Sequence, residues 1–491
     1  MSDPSVCDLL IQRALLFDGS GAKPTVGDLA VTGDKIVLIG DLQNWQGKQV
    51  VDAKGLALAP GFIDVHTHDD RALLSTDMGN KTSQGVTTVI TGNCGISLAP
   101  LSLHRALREA PPPPLDLLGT REDYLYPRFA DYMAALDRQP PAVNAACLIG
   151  HSTLRVGTMD TLDRPATPAE IAAMKELLAE ALEAGAIGLS TGLAYEPAVE
   201  AETSEVQALA ELLKPAGALH TTHMRNEEER VTEAMDEAFA IGKSANVPVV
   251  ISHFKVHGKA NFGRSVETLA KFDAQRRLQP LALDAYPYSA SSTVLKAQWV
   301  DEAPKVMVTW SVPHPEMTGR LLENVAADWN CSQEEAAKRL QPAGAVYFAM
   351  DEADVRRILA YPHTMIGSDG LPHDAHPHPR LWGSFPRVLG HSAREQGLFP
   401  MEEAIRRMTS LPAERFGLTG RGRLMQNYAA DLVLFDPNTV IDRATFEKPK
   451  QHADGIVMVW VNGEIVWRNG QSSGARPGRA LRRQQMQTAI A

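Results

Sequence analysis

Eight short apolar runs recur between residues 61 and 370, and stretches of helical character separate them. They read GFIDVHTH (61–68), TTVITGNC (87–94), NAACLIGH (144–151), AIGLSTGL (186–193), LHTTHMR (219–225), VVISHFK (249–255), LALDAYPY (281–288) and TMIGSDG (364–370). One connecting helix has legible ends. Thr167 suits an N-cap, Pro168 the first helical position, and Glu170 completes a capping box. Ile171, Met174, Leu178 and Leu182 form one apolar face, and Gly185 stops the helix. Eight strand-length runs with helical connections predict an α/β chain, a TIM-like (β/α)8 barrel.

The flanks have a different pattern. Residues 8–58 look like short strands broken at Asp-Gly-Ser-Gly and Thr-Gly-Asp. Near the other end, ADLVLFDPN and GIVMVWVNGEIVWRNG alternate apolar and polar residues, with Asn462-Gly463 as a hairpin turn. Two strand-rich ends predict one small β-sandwich domain built from both termini. The expected division is 1–58 for its N-terminal part, 59–415 for the barrel and 416–491 for its C-terminal part plus a basic tail, read as solvated. Residues 289–345 are too long for a plain connection and are expected to form an inserted lid. The Pro-rich stretch 104–119 is expected to be an irregular loop.

A chain of 491 residues suits one large domain plus a smaller one. Acidic residues outnumber basic ones, 59 to 48, which argues against a nucleic-acid partner. The N-terminal stretch lacks the pattern of a signal peptide, and no apolar run approaches the ~18 residues of a membrane span. Cys7, Cys94, Cys147 and Cys331 are far apart and form no disulfide framework. The expectation is a cytoplasmic protein acting on a small molecule, with no membrane or nucleic-acid partner; its oligomeric state is not legible.

Barrels of this kind carry their active sites at the C-terminal ends of the strands. There the first run offers His66 and His68, the second Cys94, the fifth His223, the sixth His253 with Lys255 beyond, and the eighth Asp369. His66 and His68, two apart on a strand, point to one side. Metal-capable side chains at one end of so many strands converge on one mouth. Imidazole, thiolate and carboxylate together suit zinc better than magnesium or calcium. The chemistry this supports is metal-assisted hydrolysis, with zinc-activated water as nucleophile and Asp369 as general base and acid.

These residues resemble the amidohydrolase superfamily, and more closely its N-acyl-D-amino-acid deacylases, the D-aminoacylases. The stretches that carry the resemblance are PGFIDVHTHDD, GNCGISLAPL, PPPPLDLLG, THMRNE, ISHFKVHGKANFGRS, DAYPYSASST, IGSDGLPHD and HPRLWGSFPRVLG. The resemblance implies hydrolysis of N-acyl-D-amino acids to a D-amino acid and a carboxylate. It implies that Cys94, His223 and His253 hold a tightly bound zinc, and that His66, His68 and Asp369 form a second, weaker site. It implies substrate contacts at Lys255, Tyr286, Ser292 and Arg380, with Arg380 on the α-carboxylate, and a pocket lined by Tyr195 and Met350. Hydantoinases and dihydroorotases use a carboxylated lysine on strand four, and AIGLSTGL has none. That argues against the alternative of a cyclic-amide hydrolase; a non-catalytic scaffold on this fold is a further alternative.

Other residues are decoys on this reading. Spacing leaves His220 and His223 equal, and the THMR match favours His223. His373, His376 and His378 are expected to face solvent or to support other residues, and His151 to be a supporting donor. Gly188-x-Ser190-x-Gly192 fits a nucleophile elbow, but no helix starts after Ser190. Asp69 and Asp70 either orient the first-run histidines or cap the next segment. Cys7, Cys147 and Cys331 are expected to be structural.

Overall fold

The computed structural model of the chain describes residues 5–104 and 109–483. Residues 105–108 of the Pro-rich stretch and 484–491 of the basic tail lie outside the described residues.

All eight runs form strands of one parallel sheet: β1 (Phe62–Asp64), β2 (Val86–Thr91), β3 (Asn144–Gly150), β4 (Gly188–Gly192), β5 (Leu219–His223), β6 (Val249–Ile251), β7 (Leu281–Ala285) and β8 (Thr364–Ile366). They pair in sequence order, and a parallel bridge between Thr67 and Gly370 closes the ring. Seven of the strands, and Ile187 directly before β4, give one or two side chains each to a central apolar cluster, among them Ile63, Ile90, Leu148, Leu219, Val250 and Met365. A second cluster lies between strands and outer helices and includes Phe62, Val89, Ile149, Leu189 and Ile251. Along β3 the memberships alternate residue by residue, Ala145, Cys147 and Ile149 outward and Ala146 and Leu148 inward, as the two-residue repeat of a strand requires. The helix Pro168–Glu183 has the expected Thr167–Glu170 capping box and buries Met174, Leu178 and Leu182.

Nine further strands from both ends of the chain form one sheet. Five lie between Val6 and Pro60 and four between Leu432 and Ser472. The two halves join where Ala57–Pro60 runs antiparallel to Leu432–Phe435, directly before β1. The Asn462-Gly463 hairpin links Ile456–Val461 to Glu464–Arg468, with φ of 49° and 84° at the two turn residues, as a type I′ turn needs. Between β7 and β8, strands Ser291–Val294, Val306–Ser311 and Ala343–Tyr347 form a three-stranded antiparallel sheet. The helices Leu322–Asp328 and Gln333–Leu340 pack on it.

The basic tail is not simply solvated. Ala480 bridges to Ala145 at the start of β3, Leu481 joins the central barrel cluster, and Arg482 pairs with Asp137. Leu481 is apolar and the barrel floor is open to it, so burial wins over the charge of the neighbouring arginines. No helix among the described residues is long and apolar enough to cross a membrane.

Candidate metal centre

The strand ends bring the expected residues together at the barrel mouth. One candidate ligand atom from each of Cys94, His223 and His253 lies within 4.8 Å of the others, and the same holds for His66, His68, Cys94 and Asp369. Cys94 belongs to both sets. Its Sγ is 3.1 Å from His66 Nε2 and 3.4 Å from His253 Nε2. Asp369 Oδ1 is 3.2 Å from His68 Nε2 and 3.4 Å from His66 Nε2.

Backbone conformation aims these side chains. Cys94, His253 and Asp369 have φ of 53°, 36° and 49°, the left-handed region that non-glycine residues seldom occupy. Such strain concentrates at functional sites because the surrounding structure must enforce it. The enforcement is visible around Cys94. A Cβ on Gly92 would meet Leu148 O at 2.2 Å, and one on Gly95 would meet Gly192 N at 2.6 Å. Ser190 accepts from Gly95 N at 3.0 Å and donates to Gly92 O, so it braces the turn and is no nucleophile. Asp70 accepts from Gly92 N and Leu98 N at 3.3 and 3.2 Å, holding the same loop.

A buried support layer lies beneath, and most of it was not singled out from sequence. Asp284 Oδ1 is 3.2 Å from His66 Nδ1 and accepts from His253 N at 2.9 Å. Lys81, fully buried, donates to Asp64 at 2.8 Å and to Ser368 Oγ at 2.9 Å, and lies 3.2 Å from Asp69. It ties the end of β1 to the end of β8. Glu227 pairs with Lys255 at 2.7 Å and with His253 Nδ1 at 3.1 Å. Asp284 and Glu227 fall within stretches quoted above, DAYPYSASST and THMRNE, yet nothing in their spacing marks them.

The cluster gathers two anions, the Cys94 thiolate and the Asp369 carboxylate, among its imidazoles. Burial pushes the Cys94 thiol up, but His66 and His253 outweigh it and hold the group well below the usual thiol range. Burial likewise opposes ionisation of Asp369, and Arg380 with the imidazoles holds it well below the carboxylate range. Burial disfavours a charged His68, yet Asp369 and Cys94 raise it to about 9. An ionised thiolate and carboxylate among imidazoles is a donor set for zinc. His68 Nδ1 and His223 Nδ1 are buried without a hydrogen-bond partner.

The expected substrate residues divide. Lys255, Tyr286, Ser292 and Tyr195 line a cavity of about 170 Å³ over the centre, together with Trp299 and Tyr347 from the 289–347 region. The Tyr286 hydroxyl and Ser292 Oγ have no partner. Tyr195 packs against His223 with ring centroids 4.8 Å apart and the planes tilted by 55°, and its hydroxyl is 3.1 Å from Thr293 Oγ1. Arg380 is fully buried, 2.8 Å from Asp369, donating to Ser292 O at 2.9 Å and lying over the Tyr286 ring. Met350 lines a smaller void behind Lys255 and Tyr286 and not the main cavity.

The decoys lie elsewhere. His220 points away from the mouth to Thr191 Oγ1 at 3.0 Å, and burial lowers it to about 3. His151 bonds Glu205 at 2.7 Å. His373 accepts from Arg71, His376 reaches Phe446 O and His378 reaches Ala290 O; His378 is buried and not solvent-facing. The four cysteines are free.

A closed parallel barrel with this cluster at its mouth defines a class of metal-dependent hydrolases. The chain belongs to the amidohydrolase family, whose sequence profile matches residues 49–288 and 316–467. Within that family it sits with the N-acyl-D-amino-acid deacylases. It is 54% identical to the D-aminoacylase of Alcaligenes xylosoxydans xylosoxydans, over 98% of this chain and 99% of that one. A crystal structure of D-aminoacylase matches at TM-score 0.95 with 52% identity, over 97% of this chain and 100% of that chain. The N-acyl-D-glutamate deacylase of Bordetella bronchiseptica, solved with zinc and a phosphonate mimic of the tetrahedral intermediate, matches at TM-score 0.93 with 46% identity, over 97% and 100%.

Proposed function

We propose that the chain is a zinc-dependent deacylase that hydrolyses the amide bond of N-acyl-D-amino acids. The observation that carries this reading is the thiolate–imidazole cluster of Cys94, His223 and His253 beside the Arg380-paired carboxylate of Asp369. Zinc held by the cluster supplies a water acidified to a pKa of about 7 and a polarised carbonyl. His66 and His68, with Asp369, are a second and weaker metal position. The remaining steps belong to the protein. Asp369 takes the proton of the attacking water and returns it to the leaving nitrogen. Tyr286, whose hydroxyl is unpartnered, donates to the carbonyl oxygen as charge develops there. Lys255 and Arg380, with Ser292, take the α-carboxylate, and Tyr195 walls the cavity against water. The division into 1–58, 59–415 and 416–491, with a lid at 289–345, is part of the same reading, as is a cytoplasmic location, which the free cysteines favour.

Zinc-loaded protein should release amine from N-acetyl-D-Met, -Leu, -Phe, -Glu or -Asp and leave the L-enantiomers intact. Turnover of neither enantiomer, with cleavage of a cyclic amide instead, would move the reading to hydantoinase-like chemistry. β4 carries no lysine for that arrangement.

A further inference from the structure

Glu227 is a buried carboxylate that the reaction above does not use. It sits four residues beyond His223, on the loop leaving β5, and is 9% exposed. Its oxygens lie 2.7 Å from Lys255 Nζ, 3.1 Å from His253 Nδ1 and 3.7 Å from His223 Nε2. Its carbonyl accepts from His257 N at 2.7 Å, which pins the β5 loop to the β6 loop. So one carboxylate faces two candidate ligands and one candidate substrate residue.

A conflict of hydrogen-bond donors shows what it does. His253 presents Nε2 to Cys94 Sγ at 3.4 Å, so a metal beside that sulfur takes the Nε2 lone pair. A neutral imidazole that gives away its Nε2 lone pair carries its proton on Nδ1 and donates there. Lys255 Nζ lies 2.7 Å from the same Nδ1. An ammonium has three donors and no acceptor. Two donors cannot face each other at that distance. Glu227 is the acceptor within reach of both.

We infer that Glu227 is a positioning residue with two tasks: it accepts the Nδ1 proton of His253, fixing that ring as a metal ligand, and it directs the displaced Lys255 ammonium into the cavity. With His253 as ligand, the Nδ1–H takes Oε1. Lys255 then keeps only the other oxygen and turns its free protons toward the cavity it already lines. Metal occupancy and the anion-binding lysine are coupled through one carboxylate. Ligating histidines are oriented by such carboxylates in many metal sites, and removing the partner costs about 10–100-fold in metal affinity. The inference rests on the metal reading above, but its first readout needs no substrate.

The test is zinc affinity of the full chain by competition with a chromophoric chelator, for wild type, Glu227→Ala, Glu227→Asp and Lys255→Met. The expected result is binding weakened about 10–100-fold in Glu227→Ala, partly restored in Glu227→Asp, and not weakened in Lys255→Met, which removes only the donor that competes for Glu227. The cobalt-substituted Glu227→Ala protein should show altered absorption, since the imidazole is no longer fixed. With N-acetyl-D-amino acids, Lys255→Met should raise KM alone, and Glu227→Ala should raise KM and weaken zinc together. Circular dichroism of the metal-free variants separates lost folding from lost positioning; if Glu227→Ala does not fold, Glu227→Met, which fills the space with no carboxylate or amide acceptor, takes its place in the same assay. Wild-type zinc affinity in the folded variant overturns the inference. Loss of deacylase activity in wild type with zinc affinity behaving as stated overturns the functional reading and leaves this one standing.

Discussion

Cys94 carries more of the account than any other side chain, because its sulfur faces both histidine pairs. Cys94→Ala removes the one soft ligand from both sets. It should weaken zinc by more than the ~10–100-fold seen for an outer-shell partner, measured by equilibrium dialysis. Asp369→Asn should keep zinc on Cys94 and lower kcat by roughly 10²–10⁴-fold, the range for a lost general base. A third residue speaks to stability. Glu205 is buried between Arg155 Nη1 at 2.6 Å and His151 at 2.7 Å. Burial pushes its carboxyl up, but the bonds from His151 and Arg155 outweigh that and set it at about 2. A folded value below the unfolded one, about 4.3, means the carboxylate stabilises the fold fully above that pH. The contribution is lost as pH falls from about 4.3 toward 2. Glu205→Gln leaves Arg155 buried and uncompensated, at a cost of about 3–5 kcal/mol in urea denaturation at pH 7. The acid limb of its stability curve should be flatter than that of wild type.

At the scale of elements, the site depends on how strands end. Along β5 the residues Leu219, Thr221 and His223 share one face, and Leu219 belongs to the barrel interior. Alternation therefore turns His223 inward and His220 outward, a signal that spacing between the two histidines does not contain. For β1 and β6 alternation points the other way. Ile63, Val65 and Val250 face inward, so a straight strand would send His66 and His253 out. A bend at His66 and the left-handed backbone at His253 bring them back. The eight strands and the helix cap were legible because apolar runs and capping residues act locally. Cys94, His223, His253 and Asp369 were legible because they cluster at strand ends. Glu227, Asp284 and Lys81 were not, because a buried charge looks like any other charge until its distant partner is known. The turn that holds Cys94 gives the test at this scale. Gly95→Ala forces a Cβ within 2.6 Å of Gly192 N at a φ of 76°. It should destabilise the protein by more than about 1 kcal/mol in thermal or urea unfolding and weaken zinc binding in parallel.

At the scale of the molecule, the ends of the chain complete the barrel. The two halves of the terminal sheet join where Ala57–Pro60 pairs with Leu432–Phe435, directly before β1 in the chain, and the segment around Leu481 plugs the floor, where Leu481 N donates to Ala145 O at 2.7 Å. Leu481→Ala should therefore cost about 2 kcal/mol or more of stability while kcat stays unchanged, since the floor lies at the opposite end from the mouth. The chemistry lies at the mouth, where Cys94 would hold the zinc needed to hydrolyse N-acyl-D-amino acids. The most direct measurement is a titration of zinc into metal-free protein, following amine release from paired N-acetyl-D- and N-acetyl-L-amino acids, in wild type and Cys94→Ala. Activity on the D-substrates should rise with the first equivalent of zinc in wild type and stay absent in Cys94→Ala. D-amide hydrolysis that persists without metal, or that survives in Cys94→Ala at the wild-type rate, would contradict this role of Cys94.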